Sequence, residues 1–255
     1  MRAYIKLLIL LIVSFVIMSA LSELDDLRVF GHDIATMKRI TLDAGETALP
    51  LSDTAEIVMA PSIAIAVEDT LPRTILMIGD SMIEGLSRRM GAYAYHNGHK
   101  LYAVIWYGST TEKWSESGRL AQYADSLKPD YIMICLGGNE LFIRDIKEKR
   151  RGCVKEIVSE AGTIPYVWIG PPNWKDDTGI NELIRSEVGD DRFFLSKYMQ
   201  FERASDGCHP TRESSYQWMD SVVRWMVKTV PHPRLDTPPM KVKNPYETIV
   251  LTPDD

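Results

Sequence analysis

The chain has 255 residues, 45% of them hydrophobic and 25% charged, and its formal net charge at pH 7 is −6. That length supports one substantial core, with one domain of roughly 150–200 residues as the prior. No Lys/Arg run is interleaved with aromatic residues, which argues against a nucleic-acid surface.

Arg2 and Lys6 precede an uncharged stretch, Leu7–Leu21, and acids follow at Glu23, Asp25 and Asp26. This is the charge order of a secretory signal, and Ala20-Leu21-Ser22 offers small residues for a cut before Glu23. Residues 1–22 therefore read as a signal peptide or, uncleaved, as a signal anchor spanning residues 5–21. A buried soluble helix is the third use of such a stretch. The expectation is an exported protein, periplasmic or extracellular. Residues 23–70 are polar and irregular with a more apolar part at Ala55–Val67, and read as a linker or N-terminal extension.

From Arg73 a strand–helix alternation begins. Thr74–Ile78 is a short, mostly apolar run containing β-branched residues, broken by Gly79-Asp80. Met82, Leu86, Met90, Tyr93 and Ala94 then recur at helical spacing up to Asn97-Gly98. Leu101–Trp106 reads as a second strand and 111–127 as one helix. Tyr131–Leu136 follows as a third strand, and a charged helix runs to about Ala161 with Lys147–Arg151 on its solvated face. Ile164–Ile169 is a fourth strand, 180–188 a short helix, and Arg192–Leu195 a fifth strand. Tyr216, Met219, Val223, Met226, Val227 and Val230 form one stripe of a last helix that Pro231 stops. Residues 231–255 are proline-rich and read as an extended tail. Apolar strands alternating with helices predict a three-layer α/β/α domain over residues 71–230, of flavodoxin-like type with a five-stranded parallel sheet.

Four polar motifs fall where such a sheet would place its loops: Gly79-Asp80-Ser81, Gly108-Ser109, Gly137-Gly138-Asn139-Glu140 and Asp206-Gly207-Cys208-His209. A serine hydroxyl is a poor nucleophile alone. It needs a histidine base, a carboxylate to orient that base, and donors for an oxyanion. Taken singly, Ser81 also reads as a helix N-cap, Asn139 and Asp206-Gly207 as turn residues, and His209 as a surface histidine. Ligands gather at the carboxyl ends of parallel strands, and the ordered set fits that position.

The set resembles the blocks of the SGNH (GDSL-type) hydrolase superfamily: G-D-S, a glycine after the second strand, G-x-N-D and D-x-x-H. The resemblance spans about Arg73 to Val230, with Glu140 standing where the family usually carries aspartate. It implies Ser81 as nucleophile, His209 as general base and Asp206 as the residue that orients the imidazole. It further implies an oxyanion hole made by the backbone N–H groups of Ser81 and Gly108 and the side-chain amide of Asn139.

Tyr107, Trp114 and Trp174 lie in or just after loops at the same end, where a ring can stack on a sugar. The resulting expectation is an esterase, a Ser-His-Asp ester hydrolase acting on a short-acyl, acetyl-like ester, with a glycan or other small ester as substrate. A glycan O-acyltransferase using the same triad, and a non-catalytic glycan-binding or assembly protein, are the competing readings. No cofactor is expected, since no G-x-G-x-x-G or P-loop follows a strand. No metal is expected either, and His96 and His99 read as a helix end and turn. The three cysteines, Cys135, Cys153 and Cys208, are an odd number for an exported chain. Cys135 reads as a core thiol, and whether Cys153 pairs with Cys208 is left open.

Overall fold

Contacts divide the chain into Met1–Ala64 and Ile65–Asp255. The structure, a computed structural model, describes residues 27–29, 32–34, 71–240 and 248–251. In the first unit Leu27–Val29 (β1) and His32–Ile34 (β2) pair antiparallel, with Leu27 opposite Ile34. The signal or anchor segment, and the rest of the expected linker, lie outside the described residues. No helix among the described residues is long and apolar enough to cross a membrane.

The second unit is built on the expected alternation. Thr74–Gly79 (β3) leads into Ile83–His96 (α1), and Lys100–Ile105 (β4) into Thr111–Ser117 (α2) and Arg119–Leu127 (α3). Tyr131–Cys135 (β5) ends in a 3-10 turn at Gly138–Glu140, followed by Ile146–Ala161 (α4). Tyr166–Ile169 (β6), Ile180–Val188 (α5), Phe193–Phe194 (β7) and Arg212–Thr229 (α6) complete the expected set. Strands β3 to β7 are parallel, as the apolar runs predict.

Successive strand residues face opposite layers. Ile75 and Met77 pack with α1 and α6, whereas Leu76 and Ile78 pack with the layer formed by α2 to α5. Both faces of β3 are therefore buried, which is why its sequence shows no polar alternation. The expected single helix over 111–127 is two. Gly118 sits at φ 62°, a left-handed conformation that ends α2 and starts α3.

The proline-rich tail is not merely extended. Arg89, 1% exposed, donates to the carbonyls of Pro238 and Pro239 while pairing with Asp220 of α6 at 2.7 Å. Asn97 exchanges hydrogen bonds with the backbone of Asp236, and His99 Nε2 lies 2.6 Å from the Arg234 carbonyl. Thr248–Leu251 (β8) then adds to β4 as a sixth parallel strand, giving the order β7-β6-β5-β3-β4-β8. The run Lys147–Arg151 also departs from expectation. Arg150 turns inward at 12% side-chain exposure, toward Glu140 and Glu112, so a buried acid draws one member of the run off the solvated face. Cys135, Cys153 and Cys208 are all free thiols.

Candidate active site

Register brings the three strand-end motifs together. Gly79 pairs with Ile105 on one side and Cys135 on the other, so the loops carrying Ser81, Gly108 and Asn139 leave three adjacent strands at one level. Gly79 must be glycine for this crowding. A Cβ there would lie 2.3 Å from the Cys135 carbonyl oxygen and 2.5 Å from Ile83 Cγ2. Gly108 needs its freedom for another reason, a φ of +66° in the turn that Ser109 closes by donating to the Trp106 carbonyl at 3.0 Å.

Ser81 lies before the helix rather than capping it. Helix α1 starts at Ile83, and its N-cap position, Met82, has no side-chain cap bond. The N–H of Met82 is instead taken by Asp80 Oδ1 at 2.9 Å, and that of Ile83 by the Asp80 carbonyl at 3.2 Å. The neighbouring aspartate thus does the capping, and the Ser81 hydroxyl is released to His209, whose Nε2 lies 2.8 Å away.

The other ring nitrogen, Nδ1, is 2.7 Å from Asp206 Oδ2. Asp206 Oδ1 accepts the backbone N–H groups of Cys208 at 2.8 Å and His209 at 2.9 Å. First the Cys208 N–H, then the His209 ring and N–H, hold the Asp206 carboxyl down at about 2. An ionised Asp206 fixes the proton on Nδ1 and leaves Nε2 as the acceptor facing Ser81. The loop that carries the pair is closed at its base. Ala204 donates to the His209 carbonyl and Thr211 to the Glu202 carbonyl, both at 2.8 Å, and Arg203 Nη1 donates to the Cys208 carbonyl at 2.6 Å.

Asn139 is exposed at the end of β5, and its side-chain amide donates to the Ser109 carbonyl at 2.9 Å. That bond ties the asparagine to the Gly108-Ser109 turn and leaves one amide hydrogen for a ligand. Glu140 next to it is fully buried. Its carboxylate accepts the Thr111 N–H at 2.7 Å, the Thr111 hydroxyl at 3.0 Å and Arg150 Nε at 2.7 Å. Glu140 thus stitches this turn to α2 and α4.

The three candidate aromatics part company. Tyr107 is 58% exposed and donates its hydroxyl to Glu84 Oε2 at 3.0 Å. Trp174 is half-buried and meets Phe142 edge to face, centroids 6.0 Å apart. Trp114 does not reach the surface. It is fully buried, packs against Trp106 and donates its indole N–H to Ser109 Oγ at 3.0 Å. Trp114 lies on the buried face of α2, so it supports the Ser109 turn and has no face for a sugar.

Two residues went unnoticed in the sequence. Phe142 adds an exposed ring beside Trp174. Asp80 is fully buried, and burial, only partly offset by the Met82 and Gly138 N–H groups, pushes its carboxyl up to about 7. Its Oδ2 meets no well-formed hydrogen bond among the described residues. The G-D-S triplet carried the signal, since an acid between a strand and a helix is a ready cap.

The class is an α/β/α fold, a parallel sheet between two helical layers, with serine, histidine and carboxylate in line at its carboxyl edge. No family model matches the sequence, and no curated protein matches it at significant similarity. Among solved structures, a lipase/acylhydrolase from Enterococcus faecalis is 20% identical over 64% of this chain and 100% of its own, with a TM-score of 0.50. A psychrotrophic esterase from Pseudoalteromonas sp., inhibited by monoethylphosphonate, is 16% identical over 61% of this chain and 97% of its own, with a TM-score of 0.45. An SGNH-hydrolase family esterase is 18% identical over 64% and 98%, with a TM-score of 0.35. The first of these likenesses shows the fold alone: this chain shares the α/β/α architecture of that lipase/acylhydrolase.

Proposed function

We propose that the protein is an exported serine ester hydrolase that releases a short acyl group from a glycan. The observation that supports it is the relay from Asp206 through His209 to Ser81, with contacts of 2.7 Å and 2.8 Å. In this reading Ser81 Oγ attacks the ester carbonyl carbon while His209 Nε2 takes the hydroxyl proton. The N–H groups of Ser81 and Gly108 and the free amide hydrogen of Asn139 receive the oxyanion. The alcohol leaves with the proton from His209, and water, deprotonated by the same imidazole, resolves the acyl-enzyme to acid and free Ser81. Export draws on the charge order of residues 1–22, and the glycan on the exposed rings of Tyr107 and Phe142 beside Trp174.

A fluorophosphonate probe applied to the intact protein tests the chemistry. The expected adduct falls on Ser81, and 4-nitrophenyl acetate is turned over. Ser81→Ala loses both while its free energy of urea unfolding stays within about 1 kcal/mol of the parent, because the hydroxyl caps nothing. A Ser81→Ala protein that still hydrolyses the ester at the parent rate would overturn the assignment.

A further inference from the structure

Beside the relay lies a groove of about 300 Å³ whose walls include Ser81, Glu84, Arg88, His209, Arg212 and Ser215. It runs between the first turns of α1 and the start of α6, and neither Gly108 nor Asn139 lines it. The groove opens on the nucleophile and the base, so it can take the part of an ester that lies outside the oxyanion hole. Its charges are unequal. Glu84 spends one oxygen on Arg88 Nη2, 2.9 Å away, and the other on the Tyr107 hydroxyl at 3.0 Å. Arg88 and Glu84 therefore cancel each other to first order. The Arg212 guanidinium makes no hydrogen bond or ion pair among the described residues, and it stands at the first position of the eighteen-residue helix α6. The helix N-terminus adds a partial positive charge to the same wall. Glu213 follows in the chain but is not part of the groove, since adjacent helical residues point apart.

An uncompensated guanidinium at the mouth of a groove that holds both nucleophile and base, in a chain of net charge −6, selects by charge. Resting on the hydrolase reading above, we propose that the substrate is an anionic ester: a carboxylate or phosphate a few bonds from the ester carbon docks on Arg212, with Arg88 as a second donor. The anion sits either on the acyl group, as in a half-ester of a dicarboxylic acid, or on the alcohol, as in an acidic sugar. Guanidinium groups bind either anion in bidentate fashion.

Two matched pairs of esters separate these sources. Mono-4-nitrophenyl succinate against 4-nitrophenyl butyrate reads the acyl side, and 4-acetoxybenzoate against 4-acetoxybenzamide reads the alcohol side. The quantity followed is the ratio of kcat/KM, anionic over neutral. In the parent protein at low salt one pair is expected to favour the anion about tenfold, as one charge-assisted hydrogen bond allows, with the preference shrinking as salt screens it. Arg212→Gln should bring that ratio down about tenfold, chiefly through KM. Glu84→Gln, which frees Arg88, should raise it severalfold. Ratios near one in both pairs, unmoved by either variant, would overturn the inference and leave the hydrolase reading standing. If no ester is turned over, calorimetry of the two anionic esters with Ser81→Ala and with Ser81→Ala/Arg212→Gln decides independently. Binding that weakens about tenfold without Arg212 supports the anion site, and equal or absent binding refutes it.

Discussion

A serine between a strand and a helix ordinarily turns its hydroxyl back on the helix N-terminus, and the Asp80 carboxylate is what spares Ser81 that use. Burial holds the Asp80 carboxyl near 7, far above the ordinary value of 3.8. The folded state therefore keeps a proton that the unfolded chain has already lost. Stability should fall as pH rises from about 4 to 7, by as much as roughly 4 kcal/mol, and level off above. Asp206 is displaced the other way, so its contribution is present above about 4 and is lost only as pH falls toward 2. The two windows do not overlap. Urea midpoints of the parent and Asp80→Asn between pH 4 and 8 isolate the first, and a pH-independent difference would mean that Asp80 is not the buried acid described.

Asn139 belongs to the same scale. One of its amide hydrogens fixes the plane by bonding the Ser109 carbonyl, so the other is held ready rather than recruited. Under the proposed hydrolase reading such a donor acts on charge that develops in the transition state, and loss of one is typically worth ~10²–10³ in rate. Asn139→Ala should lower kcat by that order with KM little changed, and Asn139→Asp should be worse because it presents charge to charge. Steady-state kinetics on a folded variant check this. A near-parental kcat would leave the oxyanion to backbone donors alone.

At the scale of elements, Glu140 and Arg150 lock three pieces together: the 3-10 turn that bears Asn139, the start of α2 at Thr111, and α4. Removing one partner of a buried pair strands the other. Glu140→Gln should cost roughly 3 kcal/mol in urea unfolding, somewhat less if Glu112 retains Arg150. A variant within about 0.5 kcal/mol of the parent would show the pair to be dispensable. Little of this was legible beforehand. The apolar runs declared β3 to β6, because strands buried on both faces must be apolar throughout, and the order of Ser81, Asn139, Asp206 and His209 declared the relay. A charge run is equally compatible with a solvated face and with one inward arginine, so Arg150 was hidden. Trp114 was hidden because 111–127 reads as one helix, and the left-handed Gly118 that splits it is not fixed by composition. The tail reads as merely extended in the sequence because prolines break helices. What orders it is Arg89, Asn97 and His99, each more than 130 residues distant in sequence from its carbonyl or amide partner.

Over the whole second unit, strands grow shorter from the centre outward. Strands β3 and β4 have six residues each, β8 has four and β7 only two. Without β8, the six-residue β4 would form the margin of the sheet, with a row of unpaired amide and carbonyl groups long enough to template another chain. The tail closes that row with the protein's own backbone, and Pro253, Asp254 and Asp255 follow β8 in the sequence. At the opposite margin, two residues are too few to nucleate a foreign strand. Arg89 thus holds the chain at Pro238 and Pro239, and β8 covers the margin of β4 whose backbone groups would otherwise be open to a second copy.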